Sequence, residues 1–204
     1  MVMFRHRLAD KAIVWEPEML TVVSKDVFSL EYLYVVLHEW LIEHGWCDRF
    51  DAKFRETYYE QRDFGGGPRE LWIRWRMTRA PASRWMKDPL FTAELDFDMH
   101  ALGVKPTEVV VKGRKLGADT GEMEVKCRIR LLYNKKYQGT NFLKNLIKYA
   151  SKRMFKPRID AHQKELYNEL TELQEALKTY FMIETYLDEP QLERFHLTRS
   201  QENL

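Results

Sequence analysis

The sequence predicts an α+β fold: an antiparallel meander of about five to six strands, one early helix, and long C-terminal helices covering the apolar sheet face. Three observations carry this expectation. Residues 91–101 alternate strictly, with Phe91, Ala93, Leu95, Phe97, Met99 and Ala101 apolar and Thr92, Glu94, Asp96, Asp98 and His100 polar. Other alternating runs lie on either side, each bounded by Gly, Pro or Asp. From about residue 141 the period becomes helical, and Ile159, Leu166, Leu173, Tyr180 and Leu187 recur every seven residues, with Leu170 and Leu177 between them.

The elements follow in order. Residues 1–17 read as an N-terminal extension, 18–188 as a single domain and 189–204 as a mobile polar tail. The run 18–24 (EMLTVVS) is a short strand. A helix is expected over 29–45, with Ser29 as N-cap, Glu31 favourable in the first turn and Gly45 ending it in a left-handed conformation. The stretches 53–62 and 70–77 form two strands joined through the loop DFGGGPR. The strand at 90–102 is followed by TEVVVKGRK and GEMEVKCRIRLLY, which flank the turn-rich LGADTG; in the second, Met123, Val125, Cys127, Ile129 and Leu131 share one face. An amphipathic helix spans 141–156. Pro157 then suits the first turn of a last helix, which reaches about Tyr186 before Pro190 stops it. Its heptad seam is too short for a dependable coiled coil and reads as a helix lying along a sheet.

This order of elements, over roughly residues 18–187, resembles a helix-grip (START-like) domain, in which a curved sheet wraps a long C-terminal helix. The resemblance implies a small hydrophobic ligand held between the sheet and that helix. The segments HEWLIEHGW, LDFDMHALG and ELYNELTELQEALKTYF also resemble conserved, uncharacterised small archaeal proteins, a likeness that implies no activity.

Composition narrows the function classes. The chain has 204 residues, is 45% hydrophobic and 31% charged, and carries a net +2. That near balance excludes a globally charged binder, but the charge is unevenly placed. Residues 135–164 hold nine Lys or Arg against one acid (+8), and residues 165–204 hold three against nine (−6), so 1–134 is neutral. Cys47 and Cys127 are far apart and outside any CxxC pattern, which argues against a disulfide framework or thiolate zinc site. No signal-peptide core and no run of 18 apolar residues is present, so a cytoplasmic protein is expected.

Two polar rows raise a question about chemistry. Arg74 and Arg76 share a strand face with Trp72, and Glu94, Asp96, Asp98 and His100 share another. If the apolar faces align, the rows meet across the sheet, with Glu124, Lys126, Arg128 and Arg130 beyond them and Lys112 and Arg114 alongside. Such cross-strand pairs contribute about 0.2–1 kcal/mol each and need no ligand. The competing reading makes Asp96, Asp98 and His100 metal ligands, with Glu122 or Glu124 completing the set. The spacing matches no metal motif and the arginines compete for the carboxylates, so the ladder is the expectation.

Other motifs lose their chemistry on inspection. HEWLIEH (38–44) places its histidines six residues apart, off the one-turn spacing of a helical zinc site. FGGGP (64–68) lacks the Lys-Ser/Thr ending of a phosphate loop and sits between strands, where a flexible hairpin loop is expected. No catalytic residue, metal ligand or cofactor-binding residue is assigned.

The basic helix is the most informative feature. Lys144, Lys148, Lys152 and Lys156 fall at successive i+4 positions, Arg153 and Arg158 lie near them, and Lys135 and Lys136 precede them. Like charges at this spacing repel by a few tenths of a kcal/mol per pair, so the stripe costs helix stability. These eight residues are the candidate polyanion-binding set. The bland alternative is a solvated surface neutralised by Glu165, Glu169 and Glu172. The expected function is a non-enzymatic binding protein docking on RNA or a ribonucleoprotein. The alternative is a small hydrophobic-ligand-binding protein, or related enzyme, of helix-grip type. Self-association through the seam at 159–187 is the third reading.

Overall fold

A computed structural model describes residues 13–50, 54–83, 86–111, 114–134 and 154–186. Among the described residues nine strands and two helices follow one another as β1 (Ile13–Trp15), β2 (Leu20–Ser24), β3 (Val27–Phe28), α1 (Leu30–Glu43), β4 (Glu56–Asp63), β5 (Arg69–Arg79), β6 (Ala82–Ser83), β7 (Met86–Lys87), β8 (Phe91–Val111), β9 (Arg114–Tyr133) and α2 (Lys156–Tyr186). Seven strands make one antiparallel sheet in the order β1-β9-β8-β5-β4, with β2 and β3 also pairing β9 on the side of β1. The strands β6 and β7 form a separate two-stranded hairpin. The predicted α+β arrangement therefore stands, with more strands than expected. Ile13–Trp15, assigned from sequence to an extension, joins the sheet opposite Leu131 and Leu132. Three residues are too few for alternation to register.

Alternation sets which face is buried. Register aligns Ile73 with Met99 and Val125, Trp75 with Phe97 and Cys127, and Met77 with Leu95 and Ile129, so one face is apolar across three strands. Every one of these side chains is buried. Cover comes from both helices. Leu33, Leu37, Trp40 and Leu41 of α1 and Leu166, Leu170, Leu173, Leu177, Tyr180 and Phe181 of α2 belong to the same core. The heptad seam is thus consumed within the chain, and α2 lies on the sheet.

Local chemistry ends α1 as its sequence predicts. Ser29 Oγ accepts from the Tyr32 N–H at 3.3 Å. At the other end Gly45 adopts φ 68°, its N–H donates to Ile42 O at 3.0 Å, and the Trp46 N–H donates to Leu41 O at 2.8 Å. These two bonds are the Schellman closure, and they drive Trp46 into the core. Tyr180 ties α2 to the same helix, since its hydroxyl accepts from the Ser29 N–H and donates to Ser29 O.

One prediction fails. LGADTG is not a turn but the interior of β9, with Gly117 opposite Glu108 and Asp119 opposite Pro106. The chain reverses between Val111 and Arg114, which pair with each other. A bulge lets the long hairpin bend: Leu102 faces Glu122 and Lys105 faces Thr120, leaving Gly103 and Val104 opposite Gly121. Gly103 adopts φ 68°, and a Cβ on Gly121 would stand 2.9 Å from Leu102 O. Gly103 thus serves a bulge and Gly121 a close approach, while a Cβ on Gly117 would meet nothing.

Candidate functional site

The corner where β8 begins and β9 ends holds the buried pair Asp88 and His162. Asp88 precedes Pro89, and its Oδ1 accepts from the Leu90 N–H at 3.0 Å, turning the carboxylate inward, where its side chain is 0% exposed. The first turns of α2 place Arg158 and His162 one turn apart on one face. Arg158 Nη2 reaches Asp88 Oδ2 at 2.6 Å and His162 Nε2 reaches it at 3.2 Å. The other ring nitrogen of His162 faces Glu165 at 3.8 Å. Glu165 and Asp88 raise the His162 pKa above its ordinary value, against the opposing effect of burial.

A polar stripe continues along α2. Arg79 of β5 lies 3.9 Å from Glu165, bonds Glu169 and the His44 carbonyl, and stacks over the Trp46 ring. The Trp46 indole N–H donates to Glu169 at 3.1 Å, and His44 Nε2 meets Glu172 at 3.0 Å. Of the three acids expected to neutralise the basic segment, Glu169 is bonded to Arg79 and Trp46 and Glu172 to His44, while Glu165 lies 3.8 Å from His162 and 3.9 Å from Arg79. Both ring nitrogens of His162 face carboxylates, so neither lone pair is presented to a substrate proton. The stripe is an electrostatic clamp between α2 and the sheet.

The same corner joins two parts of the chain that are distant in sequence. Asn134, directly after β9, donates its N–H to Leu90 O at 2.8 Å and its side-chain amide to Pro89 O at 3.1 Å. Arg158 is held by Asp88, two residues from Leu90. Asn134 and Arg158, which flank or end a stretch (135–158) of eight Lys or Arg and no acid, thus stand at the same corner. Of the eight candidates, Lys156 is exposed and Arg158 is 45% exposed while bonded to Asp88. Lys135, Lys136, Lys144, Lys148, Lys152 and Arg153 lie outside the described residues.

The polar rows meet on the outer face of the sheet as a ladder. Arg74 stands opposite Asp98, Arg76 opposite Asp96, and beyond them Asp96 faces Arg128 and Asp98 faces Lys126. Two contacts run along the diagonals, Arg76 to Asp98 at 2.6 Å and Arg130 to Asp96 at 2.5 Å, and Arg130 also meets Glu94 directly opposite at 3.1 Å. His100 stacks on Trp72 and meets Glu70 at 2.9 Å. The two acids proposed as metal ligands are engaged by arginines, and among the described residues no three His, Cys, Asp or Glu side chains gather around a cation position. Arg114, at the far end of β9 opposite Val111, is remote from this ladder, and Lys112 lies outside the described residues.

The remaining motifs have separate roles. His38 approaches Cys47 Sγ at 3.8 Å and packs on Phe54, whereas His44 caps α1 through Trp40 O. Gly65 and Gly66, both with positive φ, make the expected hairpin loop between β4 and β5. Sequence reasoning missed Asp88, Arg79 and His162. The signals were there, since His162 occupies a core-phase position between Ile159 and Leu166, and Asp88 precedes a proline. No family model matches the chain, and no curated protein or solved structure is similar to it. Among the described residues no helix is long and apolar enough to cross a membrane.

Proposed function

We propose that this protein is a non-enzymatic binding protein whose basic segment, residues 135–158, docks on the phosphate backbone of RNA or a ribonucleoprotein. The supporting observation is that residues 135–158 carry eight Lys or Arg and no acid, and that Asn134 and Arg158 both bond to the 88–90 turn, while Glu169 bonds Arg79 and Trp46 and Glu172 meets His44. Each phosphate neutralised by a Lys or Arg of such a run releases counterions condensed on the RNA, which favours binding at low salt. The exposed hairpin residues Lys105 and Lys115 add positive charge at the other end of the sheet, Lys115 being paired with Glu108. The hydrophobic-ligand reading draws on α2 lying across the apolar face. It is the weaker reading, because Trp46, Trp75, Phe28, Phe91 and Phe97 fill that face with fully buried side chains.

Binding to a mixed-sequence single-stranded RNA, measured by fluorescence anisotropy across a salt series, tests the proposal. Affinity is expected to fall linearly on logarithmic axes. Substituting Lys144, Lys148 and Lys152 together by Ala reduces that slope by about 2, from 3 × ~0.7, with the circular dichroism unchanged. Salt-independent binding, or a triple variant that binds as the wild type does, refutes it.

A further inference from the structure

Among the described residues the sheet ends at β4 on one side and at β1, β2 and β3 on the other, and these edges are built differently. The strand β4 carries Glu56, Glu60, Arg62 and Asp63, charges of the kind that keep an edge from pairing with another chain. At the opposite edge β2 reads LTVVS, without a charge or a proline, and among the described residues it pairs only with β9. Two large apolar side chains stand exposed beside this edge on its outer face, Met19 at 41% and Val23 at 47%. On its inner face an open cleft of about 370 Å³ separates the start of β2 from α2. Its helical wall is formed by Tyr167, Leu170, Thr171 and Gln174, all uncharged. The helix therefore leaves this edge uncapped.

We infer that β2 is the seam of a two-fold symmetric dimer, in which the β2 strands of two copies pair antiparallel and join their sheets. Pairing two copies with their faces aligned restricts the register to those with a residue on the two-fold axis. With Val22 on the axis, Met19 faces Lys25 and Glu18 faces Asp26, leaving an apolar chain against an ammonium and two carboxylates opposed. With Thr21 on the axis, Met19 faces Val23 of the second copy and Val23 faces Met19, so the two exposed apolar side chains cover each other twice. Leu20 then stands opposite Val22, and Glu18 opposite Ser24. The outermost pair, Glu16 and Asp26, is eased by Arg128, which lies 3.6 Å from Glu16. Apolar cross-strand pairs of this kind stabilise a ladder, and the backbone groups of β2 gain partners. The interface is distinct from the heptad seam of α2, which is buried within each copy. Dimerisation also places two basic segments on one particle, so that an RNA contacting both is held by avidity.

Light scattering on the full chain tests the inference first. A particle of 49.2 kDa (2 × 24.6 kDa) is expected, and Met19→Lys with Val23→Lys should convert it to 24.6 kDa with an unchanged circular dichroism spectrum. Register is tested by cysteine scanning, since Cys47 and Cys127 are buried. Directly opposed residues have Cβ atoms about 4.5–5.5 Å apart, so Thr21→Cys should cross-link spontaneously on a non-reducing gel and Lys25→Cys should not. A monomer at the highest attainable concentration, a dimer indifferent to the two lysines, or cross-linking through position 25 rather than 21 each overturns it.

Discussion

Replacing Asp88 by Asn probes the clamp between α2 and the sheet. The asparagine keeps an oxygen for the Leu90 N–H but removes the charge that Arg158 and His162 share. Each charge-assisted bond contributes about 1.5–3 kcal/mol where the partner is buried. His162 is buried and takes the full loss, whereas Arg158 recovers part of it from water. The sum is about 3 kcal/mol, within the range for breaking a buried pair from one side. For a chain of this size that corresponds to a fall in Tm of about 6–12 °C. Urea unfolding followed by tryptophan fluorescence should show the midpoint falling with the slope unchanged. The pH dependence supplies a second check. His162 titrates above its ordinary 6.5 in the folded protein, so its contribution is complete below that value and is lost as pH rises through the raised one. Wild-type stability should therefore decline over that interval, and His162→Gln should flatten the decline. A loss under about 1 kcal/mol for Asp88→Asn, or a His162→Gln profile as steep as wild type, refutes the clamp.

Three other outcomes follow from named contacts. Gly121→Ala forces a Cβ to 2.9 Å from Leu102 O and 3.2 Å from Val104 Cα, backbone atoms with no freedom to move, and should cost about 1–3 kcal/mol by thermal melting. Gly117→Ala meets nothing and should be neutral or slightly stabilising; equal effects at the two sites would contradict the bulge. Ser29→Ala loses one cap bond, about 1 kcal/mol, while Tyr180→Phe removes two bonds, one to the Ser29 N–H and one to a Ser29 O that still accepts from Leu33, and should cost more in chemical denaturation. Tyr34 is pushed well above the ordinary phenol range by burial and by its bond to Glu56. In an ultraviolet pH titration, Tyr34→Phe should leave the phenolate absorbance gained before unfolding unchanged, and a drop of one equivalent contradicts this.

Much of the architecture was legible because strands and helices have short, local periods. The alternation from Phe91 to Ala101 identified the buried face, and the cap signals at Ser29 and Gly45 bounded α1. The rows at Arg74, Arg76, Asp96 and Asp98 predicted their own pairing, because a two-residue period fixes both faces once one is known to be buried. The LGADTG segment misled because Gly and Asp are turn residues by local preference, while its place in β9 depends on the β-branched strand opposite. The basic segment was legible as charge. That Asn134 and Arg158 meet at one turn was not.

Sequence by itself determined the fold class, the inward face of each long strand, the limits of α1 and the uneven distribution of charge. These depend on contacts within a few residues, or on composition alone. Tertiary structure decided that β8 and β9 form one bent hairpin, that α2 lies on the sheet, and that Glu169 bonds to Arg79 and Trp46 and Glu172 to His44. It also brought Asn134 and Arg158 to one corner and, among the described residues, placed β2 at the edge of the sheet. Each of these joins residues far apart in the chain, and no local period encodes which distant partner a buried Asp88 or a free strand edge will meet.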